Sequence, residues 1–183
     1  SVSTLLQTHV QTAAGLHVQV RTVTARFGAP YIADEASYVV AAHATLDAWA
    51  AALTDPTQTP DAVLIGCFGD PGLLALRESS PVPVTGLAEA AFIEAARHGR
   101  FAIVTGGAAW GPMLQTLADR LDLRVRLAGV VTVERTGAEL LADPVAAQAL
   151  LLGACRDALA LGAAGRVRAI VIGGAALADL AAP

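Results

Sequence analysis

Short apolar runs alternate along this chain with longer amphipathic segments. Continuous apolar runs of this length are typical of strands buried in a parallel sheet, and they predict strands at residues 61–66, 100–105, 124–132 and 167–172. Alternating apolar and polar positions predict a further strand at residues 17–24. The intervening segments predict helices over residues 1–14, 32–53, 86–98, 108–121 and 143–161, and Asp70 with Pro71 is expected to begin a short helix. Strands separated by helices predict an α/β fold with a doubly wound parallel sheet.

Two segments share one pattern, an apolar strand followed by a glycine turn. Residues 61–72 read D-A-V-L-I-G-C-F-G-D-P-G, and residues 168–176 read R-A-I-V-I-G-G-A-A. Gly174 therefore stands where the first segment carries Cys67. The repeat indicates two related halves, each presenting a strand-end loop to a common site, with a thiol in only one of them.

Composition narrows the class of protein. With 183 residues, 55% apolar content and 15% charged residues, we expect one compact domain over residues 1–183. A net charge of −4 without blocks of like charge argues against nucleic acid and membrane surfaces as partners. No apolar stretch reaches the roughly 18 residues that a membrane-spanning helix needs. Two cysteines without a signal-like start predict a cytoplasmic protein with free thiols.

The residue types that are missing exclude several mechanisms. All 12 basic residues are Arg, so the chain alone supplies neither a Schiff-base lysine for pyridoxal phosphate nor the lysine of a P-loop. The four histidines have no metal-ligand spacing, so no metal site is expected. A Gly-x-Ser-x-Gly elbow, the usual signature of a serine hydrolase, is also absent from the sequence.

Three glycine-rich turns follow predicted strands, at residues 66–69, 105–107 and 173–174. Ligands of doubly wound sheets bind beyond the carboxyl ends of the strands. Backbone amides in such turns favour an anion, so a carboxylate or an enolate could be held without a cationic side chain. Glycine is also the ordinary residue of tight turns, and one such turn alone predicts nothing. Three turns together, one with a thiol, favour a binding site.

Cys67 is the candidate reactive residue of these turns. A thiol in a loop that leads to a helix N-terminus meets backbone amides and the positive end of the helix dipole, which predicts a lowered pKa and a reactive thiolate. The alternative is that Cys67 is a small apolar core residue, as free cysteines often are. Cys155 lies in a helical pattern over residues 150–159 and is predicted to be a core residue.

The motifs resemble the hydantoin racemase branch of the aspartate/glutamate racemase superfamily, which is related to arylmalonate decarboxylase and maleate isomerase. The resemblance rests on G-C-F-G-D-P-G-L at residues 66–73, on R-F-G-A-P-Y at residues 26–31, on V-T-G-G at residues 104–107 with Trp110, and on V-I-G-G at residues 171–174. It covers essentially the whole chain, and G-C-F-G-D-P-G is its most specific part. It implies a cofactor-independent α/β protein of two pseudo-symmetric lobes, residues 1–85 with the C-terminal end and residues 86–165.

The resemblance also implies an isomerase that moves a proton at a carbon alpha to a carbonyl, in a hydantoin or an acidic amino acid. Two thiols act on opposite faces of that carbon, one as base and one as acid. The first maps onto Cys67 and the second onto Gly174, so the second catalytic cysteine is missing. The implied substrate-binding residues are Phe68, Gly69, Thr105, Gly106, Gly107, Ala175, Tyr31 and Trp110.

The glycine at position 174 leaves four functions open. The first is a racemase that replaces the second thiol by a water, by another side chain such as Asp179, or by a one-base route. The second is a single-cysteine decarboxylase of the arylmalonate type, and the third is a maleate-type isomerase in which Cys67 adds to a double bond. The fourth is a non-catalytic small-molecule binder.

Two further expectations concern the ends of the chain and its assembly. Compared with the family pattern, we expect the chain to lack the first strand and the last helix. The Ala-rich helix at residues 32–53 offers a small-residue face for a homo-oligomer contact, or equally for an ordinary contact within one subunit.

Overall fold

The computed structural model describes residues 2–54, 59–162, 165–175 and 177. Its helices are α1 (Val2–Ala14), α2 (Glu35–Ala52), α3 (Leu73–Ser79), α4 (Leu87–Arg97), α5 (Trp110–Arg120), α6 (Gly137–Ala142) and α7 (Pro144–Ala160). Its strands are β1 (Val63–Ile65), β2 (Val84–Gly86), β3 (Arg100–Gly106), β4 (Leu127–Val133) and β5 (Val167–Gly173). Residue 1 of the predicted first helix lies outside the described residues. No helix in the described ranges has the length and apolar character to cross a membrane.

The strands form two parallel sheets. β1 pairs with β2, and β3 lies between β4 and β5 in the order β4-β3-β5. The predicted α/β class with parallel sheets is confirmed. β5 joins the sheet of β3 and β4, and the division of the chain into residues 1–85 with the C-terminal end and residues 86–165 stays a prediction.

β3 forms the centre of the core because helices cover both of its faces. Phe101 and Ile103 point to one face and pack with Phe92 of α4 and Leu114 of α5. The intervening residues of β3 point to the other face, where α7 covers them. Phe101 is fully buried, which stabilises the fold by about 2–3 kcal/mol relative to exposure. Burial on both faces explains why this strand reads as a continuous apolar run.

The prediction of a strand at residues 17–24 is wrong, because this segment forms no strand in the structure. Helix α1 lies beside this segment and supplies its hydrogen bonds from glutamine side chains. The Gln11 amide donates to the Val18 carbonyl oxygen at 2.7 Å, and the Val20 amide donates to Gln11 Oε1 at 3.0 Å. Gln7 Nε2 also donates to the Val20 carbonyl oxygen. A helix therefore uses the backbone groups that a neighbouring strand would otherwise pair with.

Asp70 caps a different helix from the one predicted. Helix α3 begins at Leu73 after Gly72, and the Asp70 side chain makes no cap there. Its carboxylate instead accepts hydrogen bonds from the amides of Ala88 at 2.9 Å and Glu89 at 2.7 Å, in the first turn of α4. The left-handed backbone of Asp70, with φ 54°, belongs to the turn that precedes α3. The sequence pattern therefore correctly predicted that Asp70 caps a helix, but it assigned the cap to the wrong helix.

Two short elements were missed by the pattern. β2 was not predicted as a strand, and its three residues pair with β1. α6 is a six-residue helix, and a capping box between Thr136 and Glu139 begins it. The oligomer contact expected of the Ala-rich helix, which is α2 in the structure, stays a prediction.

Candidate active site

Cys67 lies in a tight turn at the carboxyl end of β1. The Asp70 amide donates to the Cys67 carbonyl oxygen at 3.0 Å and closes the turn. Gly69 and Asp70 both have positive φ, at 109° and 54°. The Cys67 side chain is half-buried, and its Sγ lies 3.9 Å from the carbonyl oxygen of Phe68. The thiol is therefore held by a compact turn rather than by a flexible loop.

Two aromatic residues clamp this turn at Gly69. The Tyr38 hydroxyl of α2 donates to the Gly69 carbonyl oxygen at 2.8 Å. The Trp110 indole lies so close to the Gly69 Cα that a β-carbon there would overlap the ring. Tyr38 and Trp110 also meet edge to face, with ring centroids 6.4 Å apart. Only glycine fits position 69, because of both its backbone angle and this close approach.

The three predicted turns come together in the structure. The Phe68 ring packs against Gly173 at the end of β5. Thr105 Oγ1 donates to the Gly173 carbonyl oxygen at 2.9 Å and is buried, so its hydroxyl is used within the fold. The Tyr31 hydroxyl lies beside the turn after β3, 3.5 Å from the Gly106 carbonyl oxygen. Trp110 links the first two turns, because it also lies near Gly107.

The backbone amides of these turns differ in their availability. The Gly107 amide donates to the Val133 carbonyl oxygen at 2.9 Å, so it is already used within the sheet. In the described part of the chain, the Phe68 amide makes no hydrogen bond. A role of Phe68, Gly69, Thr105, Gly106, Gly107, Ala175, Tyr31 and Trp110 in binding a substrate stays a prediction.

The prediction of a lowered pKa for the Cys67 thiol is wrong. Burial, and secondly the charge of Asp70, raise the pKa of the Cys67 thiol from 9.0 to about 11. Helix α3 begins only at Leu73, so Cys67 is not part of its first turn, where a helix dipole acts most strongly. Because the pKa is raised, Cys67 at neutral pH is a protonated thiol, so the resting group is a proton donor.

Two residues near Cys67 were not predicted to belong to its surroundings. Burial is the largest effect on the Asp70 pKa and raises it from 3.8 to about 6. The hydrogen bonds from the amides of Ala88 and Glu89 act in the opposite direction. Burial, followed by the charge of Asp70, raises the Tyr38 pKa to about 12. Asp70 was visible in the G-D-P-G motif, whereas nothing in the sequence around Tyr38 distinguishes it from a packing residue.

Position 174 carries no side chain and has a left-handed backbone. Gly174 has φ 135°, and a β-carbon there would lie 3.2 Å from the Leu177 side chain. A cysteine at this position would be strained by its backbone angle, while the Leu177 side chain could move away. Asp179, one candidate replacement for the missing thiol, lies outside the described residues.

The other thiol and a cavity lined by described residues lie away from these turns. Cys155 is half-buried on α7 and packs against the core beside β3, as predicted for a packing residue. A cavity of about 250 Å³ is lined by Arg21, Val23, Thr24, Arg26, Ala48, Ala51 and Ala52. None of these residues belongs to the three turns, and Arg26 is paired with Asp47. The meeting of three strand ends at a thiol is therefore the stronger indication of a site.

No cluster of three His, Cys, Asp or Glu side chains fit for a metal occurs in the described ranges.

Comparison with known proteins gives hydantoin racemases as sequence relatives. A hydantoin racemase from Pseudomonas sp. (strain NS671) is 34% identical over 87 residues, which cover 47% of this chain and 35% of that protein. A hydantoin racemase from Paenarthrobacter aurescens is 62% identical over 32 residues, which cover 18% of this chain and 14% of that protein. The chain thus aligns with well under two thirds of each relative's length.

Solved structures and a family sequence model extend the likeness to nearly the whole chain. The crystal structure of allantoin racemase from Pseudomonas fluorescens matches with a TM-score of 0.87 at 26% identity, over 98% of this chain and 74% of that one. Allantoin racemase from Klebsiella pneumoniae matches with a TM-score of 0.83 at 29% identity, over 98% and 71%. The family model described as Asp/Glu/hydantoin racemase matches residues 1–183. With this match along its length, the chain belongs to the Asp/Glu/hydantoin racemase family.

Proposed function

We propose that this chain is a racemase of the hydantoin type, with Cys67 as its proton-transfer thiol. The observation that carries the proposal is a half-buried thiol held by a rigid turn at the carboxyl end of β1, against the turns that follow β3 and β5. Family membership adds the reaction class, an isomerisation at a carbon next to a carbonyl.

The proposed substrate is a hydantoin ring with one substituent at C5. This carbon lies between a carbonyl and a ring nitrogen, so loss of its proton gives an enolate that the carbonyl stabilises. Hydantoins and allantoin, after which the relatives are named, share this ring. A compact anionic substrate such as an acidic amino acid is the second member of the proposed class.

The raised thiol pKa favours Cys67 as the acid of the reaction. In the proposed step, a base removes the C5 proton from one face and leaves an enolate. The Cys67 S–H then gives its proton to C5 from the other face, which inverts the centre, and solvent returns a proton to the thiolate. In the reverse direction the thiolate accepts the C5 proton. The Phe68 amide, which is not used within the described fold, is proposed as one donor to the enolate oxygen.

Water is proposed as the proton carrier on the face that Gly174 borders. Glycine leaves no side chain there, and the family resemblance assigns that position to the second thiol. Water is a much weaker base than a thiolate and is not fixed in place, so proton removal by water is slower than by a placed thiolate. We therefore expect turnover below that of a two-thiol enzyme. Proton transfer alone needs no cofactor, and none is proposed.

The test uses single enantiomers of 5-substituted hydantoins, allantoin and aspartate in D₂O. Polarimetry follows the loss of optical rotation, and NMR follows deuterium at the alpha carbon. Racemisation with deuteration above the rate in buffer alone supports the proposal. Absence of both for every substrate contradicts it, and binding of a substrate without turnover favours the non-catalytic binder.

A single-cysteine decarboxylase of the arylmalonate type is the second candidate. It is favoured by the combination of one protonated thiol with a glycine at position 174. In that reaction the loss of CO₂ forms the enolate, so one proton donor is sufficient. Release of CO₂ from arylmalonates, with one enantiomer of the product in excess, would favour this candidate over the racemase.

A further inference from the structure

Three ionisable side chains surround the turn that carries the thiol. Cys67 lies at its start, Asp70 at its end, and Tyr38 reaches it from α2. Asp70 is 1% exposed, so it is not placed to react directly with a ligand in solvent, and the Tyr38 hydroxyl is already used in its hydrogen bond to Gly69. Their contacts instead concern the backbone around the thiol.

Asp70 ties the turn to the start of α4. Both carboxylate oxygens accept hydrogen bonds, from the amides of Ala88 and Glu89. The carboxylate also lies against Gly86 so closely that a β-carbon at that glycine would overlap it. Since the Asp70 amide closes the turn onto the Cys67 carbonyl oxygen, the same residue joins the thiol's backbone to α4.

Tyr38 holds the turn at Gly69. Its hydroxyl donates to the Gly69 carbonyl oxygen at 2.8 Å, while the Trp110 ring covers the Gly69 Cα. Helix α2 and helix α4 therefore hold the turn through one side chain and one backbone cap. The central residue, Gly69, has no side chain through which it could be anchored.

We infer that Tyr38 and Asp70 are positioning residues for Cys67, which fix the 67–70 turn between α2 and α4 and so set the thiol's orientation and environment. The inference rests on the proposed proton transfer for its catalytic consequence. It assigns a role to two residues that lie outside the set of substrate-binding residues named above. The two act differently, since Asp70 contributes a negative charge and Tyr38 a neutral hydroxyl.

Other charged groups also face these two residues and remain in every variant. Asp70 is faced by Glu89 of α4 and Arg77 of α3, and these two side chains form an ion pair at 2.6 Å. Tyr38 is faced by Arg120 of α5 and by Glu35 of its own helix.

The test compares Asp70→Asn and Tyr38→Phe in a Cys155→Ala background, which leaves Cys67 as the single thiol. Iodoacetamide labelling of Cys67 is followed over a pH series. Asp70→Asn removes the nearby charge and lowers the pH of half-maximal labelling, so that labelling at a given pH rises about tenfold for one pKa unit. Tyr38→Phe leaves that midpoint in place and raises the rate about 2- to 10-fold at every pH, because the turn loses one hydrogen bond.

Asp143→Asn is the control, because the Asp143 side chain also caps a helix, accepting from the Ala146 amide at the start of α7. It should change neither the midpoint nor the rate. With a hydantoin substrate, both test variants should lose about tenfold or more in kcat with KM changed less than about twofold, as expected for lost orientation. Circular dichroism checks folding, and Tyr38→Phe carries the test alone if Asp70→Asn is unfolded.

Labelling separates this inference from the proposed function, because it needs no substrate. Midpoints and rates equal to those of the parent in both variants would overturn the inference, whatever the turnover. Changed labelling together with an inactive parent would instead reject the racemase and leave the positioning of Cys67 supported.

Discussion

Replacing the buried carboxylate of Asp70 by an amide should change how stability depends on pH. The Asp70 pKa is 3.8 in the unfolded chain and about 6 in the fold, mainly because of burial. Between these values the folded state binds more protons than the unfolded state, so stability falls as pH rises through this window. A difference of about two pKa units corresponds to about 3 kcal/mol. Asn has no such titration, so the stability of Asp70→Asn relative to wild type should increase by about 2–3 kcal/mol from pH 4 to pH 7.

Urea unfolding of wild type and Asp70→Asn across this range measures the effect. Asn offers only one acceptor to the amides of Ala88 and Glu89, which adds a penalty that does not vary with pH. Exposed carboxyl groups titrate equally in both proteins and cancel in the difference. A difference that stays constant from pH 4 to pH 7 would refute the raised pKa of Asp70.

Four further substitutions, at three positions, test the turns. Gly174→Ala and Gly174→Cys should each lower the free energy of unfolding by about 1–3 kcal/mol, because the backbone φ at this position is 135°. Only Gly174→Cys should accelerate racemisation, and equal turnover of the two variants in polarimetry would contradict this. Gly69→Ala should displace Trp110 and lower both stability and activity, and an unchanged melting temperature would argue against the close packing. Thr105→Val should cost about 1–3 kcal/mol in urea unfolding, because the Gly173 carbonyl loses its donor; no loss would contradict that contact.

The parts of the fold that could be predicted are those with a strong local signal. The central strand β3 was placed within one residue, because burial on both faces makes its sequence continuously apolar. The alternating residues 17–24 carried an equally clear signal, yet the segment is held by glutamine side chains of α1. Periodicity describes one segment, and it contains no information on which element lies beside that segment.

The candidate site shows the same limit. The glycine turn around Cys67 was recognisable because its spacing is a local property, and the three predicted turns do meet. The thiol's pKa was predicted in the wrong direction, because burial and the Asp70 charge arise only in the folded chain. Tyr38 could not be predicted either, since its hydrogen bond reaches 31 residues along the sequence to Gly69. Cytoplasmic location and a homo-oligomer stay predictions.

The most direct measurement of the central claim is deuterium incorporation at C5 of a single hydantoin enantiomer in D₂O, compared between Cys67→Ala and Cys155→Ala. Both variants remove one of the two thiols, but only Cys67 lies at the meeting of the three turns. The account predicts that Cys155→Ala exchanges and racemises at the wild-type rate, while Cys67→Ala falls to the rate in buffer alone. Undiminished exchange by Cys67→Ala would contradict it.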